Sequence, residues 1–195
     1  MTLPAIESRL RGAVDALPKG LRDHVLRVEI EATIYAKLHG VDEGRARLAA
    51  LGHDLLRHEP DARLLVLSEN YGYDADEIEH ASPILLHGPL AAKLLARNGY
   101  TDPEVLAAVD CHTTARAGMS TLEKVLLIAD KVEPEKLERR PALEEVRVLA
   151  ARDLDGALLR FIDLHLAEAA ERRWLVHPRT IEARNELLLQ APRRH

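Results

Sequence analysis

An apolar helical run, Leu48-Ala-Ala-Leu-Gly-His-Asp-Leu-Leu-Arg57, is interrupted by His53 and Asp54 side by side. This doublet constrains the fold more than any other feature of the chain. An imidazole and a carboxylate inside an apolar segment have nothing local to neutralise them, and burying them without partners is costly. A divalent first-row metal removes that cost, because a neutral imidazole nitrogen and an ionised carboxylate are both good donors to it. Either the fold brings further ligands to the doublet, or the pair marks a polar helix end.

The elements available to supply those ligands are helices. Aromatic residues make up 3% of the 195 positions. Ala, Leu, Glu and Arg abound where a sheet protein would carry β-branched and aromatic residues. An all-α fold follows, read as one domain over residues 1–195 with a core at about 18–134 and a helical extension at about 141–190. Ile6, Leu10, Val14 and Leu17 predict a first helix closed by Pro18-Lys-Gly20. Leu21, Val25, Val28, Ala32, Tyr35 and Leu38 predict a second, ended by Gly40, with His24 beside its apolar stripe. Asp42 is the expected N-cap of a third helix that continues through the doublet to Glu59-Pro60. In it His53 shares a face with Ala46, Ala49 and Ala50, and Asp54 lies about 100° further round.

Short helices are expected over 61–68 and 74–80, with His58 and His80 as solvated or capping residues at segment ends. Ser82-Pro83 predicts a helix start with Ser82 as cap, running to Asn98-Gly99 with His87 in its first turns. Asp102-Pro103 repeats the device, and Val105, Val109 and His112 follow at i, i+4 and i+7. Ser120-Thr-Leu-Glu123 has capping-box spacing, opening a helix in which Asp130 lies one turn beyond the core residue Leu126. A salt bridge of Asp130 with Lys131 or Arg22 is the structural alternative to a ligand role. Beyond a joint at Glu133–Pro141 the pattern stays helical to Val176, Pro178 ends it, and Thr180 is read as the cap of a last helix to Leu189. His165, His177 and His195 are expected at the surface.

His24, His53, Asp54, His87, His112 and Asp130 thus all fall on or near inward helix faces, and bundle cores are where facing helices assemble metal centres. Four imidazoles and two carboxylates exceed the needs of one ion, so two ions are expected, with the two oxygens of Asp54 as a bridge. The loop after His112, Thr113-Thr-Ala-Arg-Ala-Gly-Met119, offers the Arg116 guanidinium fork and the Thr113 and Thr114 hydroxyls to a phosphate. The net charge of −5, from 32 acidic and 27 basic residues, argues against a polymeric nucleic-acid partner; a single nucleotide needs only a few local cations. One cysteine, Cys111, cannot form an internal disulfide, and residues 1–20 lack the apolar core of a signal peptide. No apolar stretch approaches the ~20 residues of a membrane span. A cytoplasmic protein is expected, its oligomeric state open and a homodimer among the forms.

His24, His53-Asp54 and Asp130 match the H…HD…D pattern of the HD-domain superfamily of metal-dependent phosphohydrolases. Longer stretches resemble its YqeK-type branch, the symmetrical diadenosine tetraphosphate hydrolases: Leu86-His-Gly-Pro89, Asp102-Pro-Glu-Val-Leu106, the run from His112 to Lys124, Ile128-Ala-Asp-Lys-Val-Glu-Pro134, and His177-Pro-Arg-Thr-Ile-Glu-Ala-Arg-Asn185. The resemblance implies an all-helical HD bundle with added C-terminal helices. It also implies a two-metal centre, most often iron, with manganese or zinc as alternatives. His24, His53 and Asp130 would hold one ion and His87 and His112 the other, with Asp54 joining them. The implied reaction cleaves a dinucleoside polyphosphate into two nucleoside diphosphates through a metal-bridging hydroxide, with Arg116, Arg57, Thr113 and Thr114 on the phosphates. A nucleotidase or nucleotide pyrophosphatase, and a non-catalytic nucleotide-sensing domain, are the competing readings. The chain departs from the branch at Arg57, where a lysine is usual, at Leu21, where an arginine is usual, and at Ala115, where a glycine is usual.

Overall fold

Local capping rules account for several of the helix starts. Asp42 accepts from the Arg45 amide and Asp102 from Glu104 and Val105. Asp76 and Ser120 complete capping boxes with Glu79 and Glu123, and Asp153 accepts from Gly156. Each satisfies amides that have no partner within their own helix.

The computed structural model describes residues 3–190, with side chains from Ala5 onward; His195 lies outside the described residues. Among these, twelve α-helices and no strand are found: α1 Leu3–Asp15, α2 Lys19–Leu38, α3 Glu43–Gly52, α4 Asp61–Asn70, α5 Glu77–Ala81, α6 His87–Arg97, α7 Pro103–Cys111, α8 Thr121–Val132, α9 Pro134–Arg139, α10 Glu144–Ala150, α11 Leu154–Arg172 and α12 Pro178–Gln190. The all-α expectation holds. No helix among the described residues is long and apolar enough to cross a membrane.

The central packing pairs are α2 with α3 and α8, and α7 with α6, α3 and α8. α10 and α11 lie together against α8, and α12 packs on α11. One buried cluster runs through these elements from Leu10 to Leu187. A smaller one joins Leu56, Leu64, Leu67, Leu86 and Leu90 beneath α4. The two close around the end of the bundle where α2, α3, α6, α7 and α8 meet.

Four local expectations are corrected. α3 stops at Gly52, and residues 53–58 wind on as turns, so the doublet follows the helix instead of lying within it. Ser82 makes no side-chain cap, and Pro83–Leu86 forms a 3₁₀ turn before α6. Pro89 has no amide hydrogen to donate back to Leu85, which favours a fresh start at His87. α12 begins at Pro178, and the Thr180 hydroxyl donates to the Thr114 carbonyl (2.7 Å) instead of capping. The joint at Glu133–Pro141 contains a helix of its own, α9.

Candidate metal centre

Each of the four inward imidazoles is anchored through Nδ1. In His53 and His112 it donates to the carbonyls of Ala50 (2.6 Å) and Val109 (2.7 Å), in His87 to that of Ile84, and in His24 to the Glu133 carboxylate (3.2 Å). Three of these acceptors are carbonyls three residues back, supplied by the α3 and α7 termini and the 3₁₀ turn. Carbonyl and carboxylate oxygens only accept, so Nδ1 carries a proton, and the neutral form of each ring is the tautomer with its lone pair on Nε2. This is how ligating imidazoles are oriented in metal sites.

All four Nε2 atoms face buried carboxylate. Asp54 Oδ2 lies 3.5 Å from both His24 and His53, while Oδ1 lies 3.1 Å from His87 and 3.5 Å from His112. Asp130 Oδ1 is 3.1 Å from His24 and 3.9 Å from His53. The Nε2 atoms of His87 and His112 are 3.0 Å apart, and the Thr113 hydroxyl is 3.3 Å from each. The six side chains therefore converge. His24, His53 and Asp130 form one group of donor atoms within 4.8 Å of one another, and His53, Asp54 and His112 form a second.

Elementary electrostatics says what this cluster lacks. Asp54 is 4% exposed, and among the described residues no lysine or arginine nitrogen comes within ion-pair distance of it. Burial pushes the His53 imidazole down to about 4, so it is neutral at physiological pH, and burial likewise lowers His87. Burial would raise the Asp54 carboxyl; the charge of His53 and hydrogen bonds from His112 and His87 lower it well below the usual range, and that support needs positive charge at the Nε2 positions, as protons or as a cation in their place. The His53 Nε2 atom is buried with no hydrogen-bond partner. An ionised carboxylate ringed by neutral lone pairs is expensive unless a cation sits among them. The donor set fits divalent metal ions.

Asp130 differs in having ammonium partners, Lys131 (2.6 Å) and Lys136 (2.5 Å), which hold it ionised against its burial. The salt-bridge alternative is therefore realised together with the convergence on His24; Arg22 turns to Asp23 instead (3.5 Å). The centre opens into a cavity of about 740 Å³ whose wall includes Arg27, Arg57, Thr113, Lys131, Lys136 and Arg139. Two of the expected phosphate contacts are not brought there. Arg116 is held by the buried Glu123 carboxylate (2.7 and 2.6 Å) beside a different cavity, and the Thr114 hydroxyl donates to the Ala115 carbonyl (3.0 Å). Ala115 has φ 57°, the left-handed region that favours glycine, which explains why a glycine is usual there.

Sequence reasoning missed Lys136 and Glu133 in the site, and gave Lys131 no role beyond a salt bridge. Glu133 caps α9, accepts from His24 and Arg27, and orients the imidazole from outside the cluster. Its signal was its place three residues beyond Asp130. His177, expected at the surface, is 5% exposed: its Nδ1 accepts the Arg179 amide (3.2 Å) and its Nε2 lies 3.0 Å from Asp76. It starts α12 and sets it beside the N-cap of α5.

The family model described as HD domain matches residues 21–153. The chain belongs to the HD-domain family. Among curated proteins this HD domain is similar to the protein named bis(5'-nucleosyl)-tetraphosphatase, symmetrical, of Halalkalibacterium halodurans, with 33% identity over 86% of this chain and 88% of the relative. It is similar to the Bacillus subtilis protein of the same name at 32% identity over 85% and 88%. Among solved structures it is similar to a predicted HD superfamily hydrolase involved in NAD metabolism from Clostridium acetobutylicum. That likeness has 31% identity and a TM-score of 0.88, and covers 94% of this chain and 97% of the other.

Proposed function

We propose that this HD domain hydrolyses a dinucleoside tetraphosphate symmetrically, releasing two nucleoside diphosphates, at a centre of two divalent transition-metal ions. The observation that carries this reading is the sharing of the Asp54 carboxylate, with Oδ2 toward His24 and His53 and Oδ1 toward His87 and His112. His24, His53 and Asp130 would hold one ion, His87 and His112 the other, and Asp54 would join them. Two such ions, when bound, supply Lewis-acid polarisation of a phosphoryl oxygen and a water acidic enough to ionise near neutral pH. Iron is the favoured metal from the resemblance to the YqeK-type branch, and the donor types suit manganese and zinc as well.

The chain's own groups then handle charge and position. Arg57, Lys131 and Lys136 line the cavity and neutralise phosphate oxygens, and the Thr113 hydroxyl donates next to His87 and His112. In the reaction a water oxygen bonds to one of the two central phosphorus atoms. The bond to the bridging oxygen breaks with its electron pair on the departing nucleoside diphosphate, and the proton passes to solvent. That leaving group is weakly basic, so fixed positive charge serves in place of a strong general acid. The tetraphosphate substrate comes from the names of the two curated relatives. Metal-replete protein given diadenosine tetraphosphate should release adenosine diphosphate alone. Monophosphate with triphosphate would remove the symmetrical assignment, and metal without turnover of any nucleotide would favour a sensing domain.

A further inference from the structure

A second chamber, of about 760 Å³, adjoins the metal cavity. The two share Thr113, Lys131, Lys136, Arg139, His165 and Trp174 as common walls. Each has the volume of a typical small-ligand pocket. The second chamber holds none of the six clustered side chains. It adds Arg140 and Arg173 to the three shared cations, and no carboxylate lines it among the described residues. Lys131 and Lys136 share Asp130, Arg139 pairs with Glu135 and Arg140 with Glu168, but those carboxylates lie outside the lining, so the chamber presents cationic donors to an anion and no acidic group against it. The rest of the wall is apolar and aromatic, with Phe161 and Trp174.

Trp174 reaches this position by a strained turn. α11 ends with Arg173 at φ 55°, a left-handed residue that is not glycine, and the Trp174 amide closes back on the Ala169 carbonyl (2.9 Å). This Schellman-like ending throws the indole onto the rim between the chambers, 48% exposed. The Arg172 guanidinium lies over one face of the ring, 4.9 Å from its centroid, which leaves the opposite face of a half-exposed indole at the mouth of a cationic cavity as a surface on which a nucleobase can stack.

Resting on the hydrolase reading above, we infer that the second chamber seats the outer nucleoside of the dinucleotide, its base stacked on Trp174, while Lys131, Lys136 and Arg139 hold the polyphosphate where the chambers meet. The ligand class is thus a nucleoside diphosphate moiety on each side of the scissile bond, and Trp174 is a binding residue for the half remote from the cluster.

Trp174 is the one tryptophan in the chain, so its fluorescence reports a ligand at the boundary of the two chambers. Adenosine diphosphate titrated into metal-loaded protein should quench it saturably, while inorganic pyrophosphate, which has charge but no base, should not. With diadenosine tetraphosphate, Trp174→Ala should raise KM by about tenfold at unchanged kcat, as loss of one base–aromatic stack predicts. Trp174→Phe should restore KM, and both variants should keep the wild-type metal content. Equal quenching by the two ligands, or an unchanged KM in Trp174→Ala, overturns the inference and leaves the hydrolase reading intact. Base-specific quenching in a protein that turns over no dinucleotide supports the chamber and refutes the hydrolase reading.

Discussion

Gly88→Ala tests how helix packing sets the metal centre. Gly88 is the second residue of α6, next to His87. A methyl group there would stand 2.9 Å from the Asp110 carbonyl oxygen, 3.0 Å from that of Val109 and 3.1 Å from Cε1 of His112. Two of the three obstacles are backbone and the third is a buried ring, so no side chain can swing aside. α6 and α7 must separate by a few tenths of an ångström, and the 3.0 Å approach of His87 to His112 must lengthen with them. Overpacking of this kind costs about 1–3 kcal/mol. Alanine's better helix propensity returns at most about 1 kcal/mol, so the clash wins. For a chain of this length, each kcal/mol moves Tm by about 2–4 °C. Thermal melting of metal-free protein should therefore show a fall of several degrees. Metal analysis should show loss from the His87 and His112 side with the His24 side retained. An unchanged Tm together with full metal content would refute the packing argument.

Other outcomes follow from individual contacts. Glu133→Gln removes the charge that orients His24 (3.2 Å) and should weaken metal binding by about 10- to 100-fold, read by competition with a chelating dye. Arg116→Ala should leave KM unchanged, because its guanidinium is committed to Glu123, while stranding that buried carboxylate at a cost of about 1–3 kcal/mol in urea unfolding. Metal-free protein should be acid-sensitive. His53 is depressed from 6.5 to about 4, so below pH 6.5 the unfolded chain takes up a proton that the folded chain refuses. Stability is full above that pH and declines as pH falls toward 4, and His53 alone removes about 2 kcal/mol between pH 7.5 and 5. Equal urea midpoints at those two pH values would contradict the buried neutral imidazole.

The helices and the six clustered side chains were legible because each rests on a local rule. Ser120 with Glu123, and Asp102 with Pro103, declare their own helix starts, and inward position follows from periodicity around Val25, Val109 and Leu126. What the chain hid depends on pairing across long distances. Leu55 and Leu56 continue the apolar pattern past Gly52, so nothing local announces that α3 ends before the doublet. His177 is buried through Asp76, a partner 101 positions earlier, and Thr180 is claimed by Thr114 rather than by its own helix. Arg116 looked free for phosphate because Glu123, the residue that holds it, already had a complete role in the capping box of α8.

The most direct test of the account is the metal content of anaerobically purified protein, counted by mass spectrometry for wild type and Asp54→Ala side by side. A carboxylate shared between two sets of imidazoles predicts about two transition-metal ions per wild-type chain and loss of both in a variant that remains folded. Wild-type protein that binds no metal, or an Asp54→Ala variant that keeps the full complement, would contradict it.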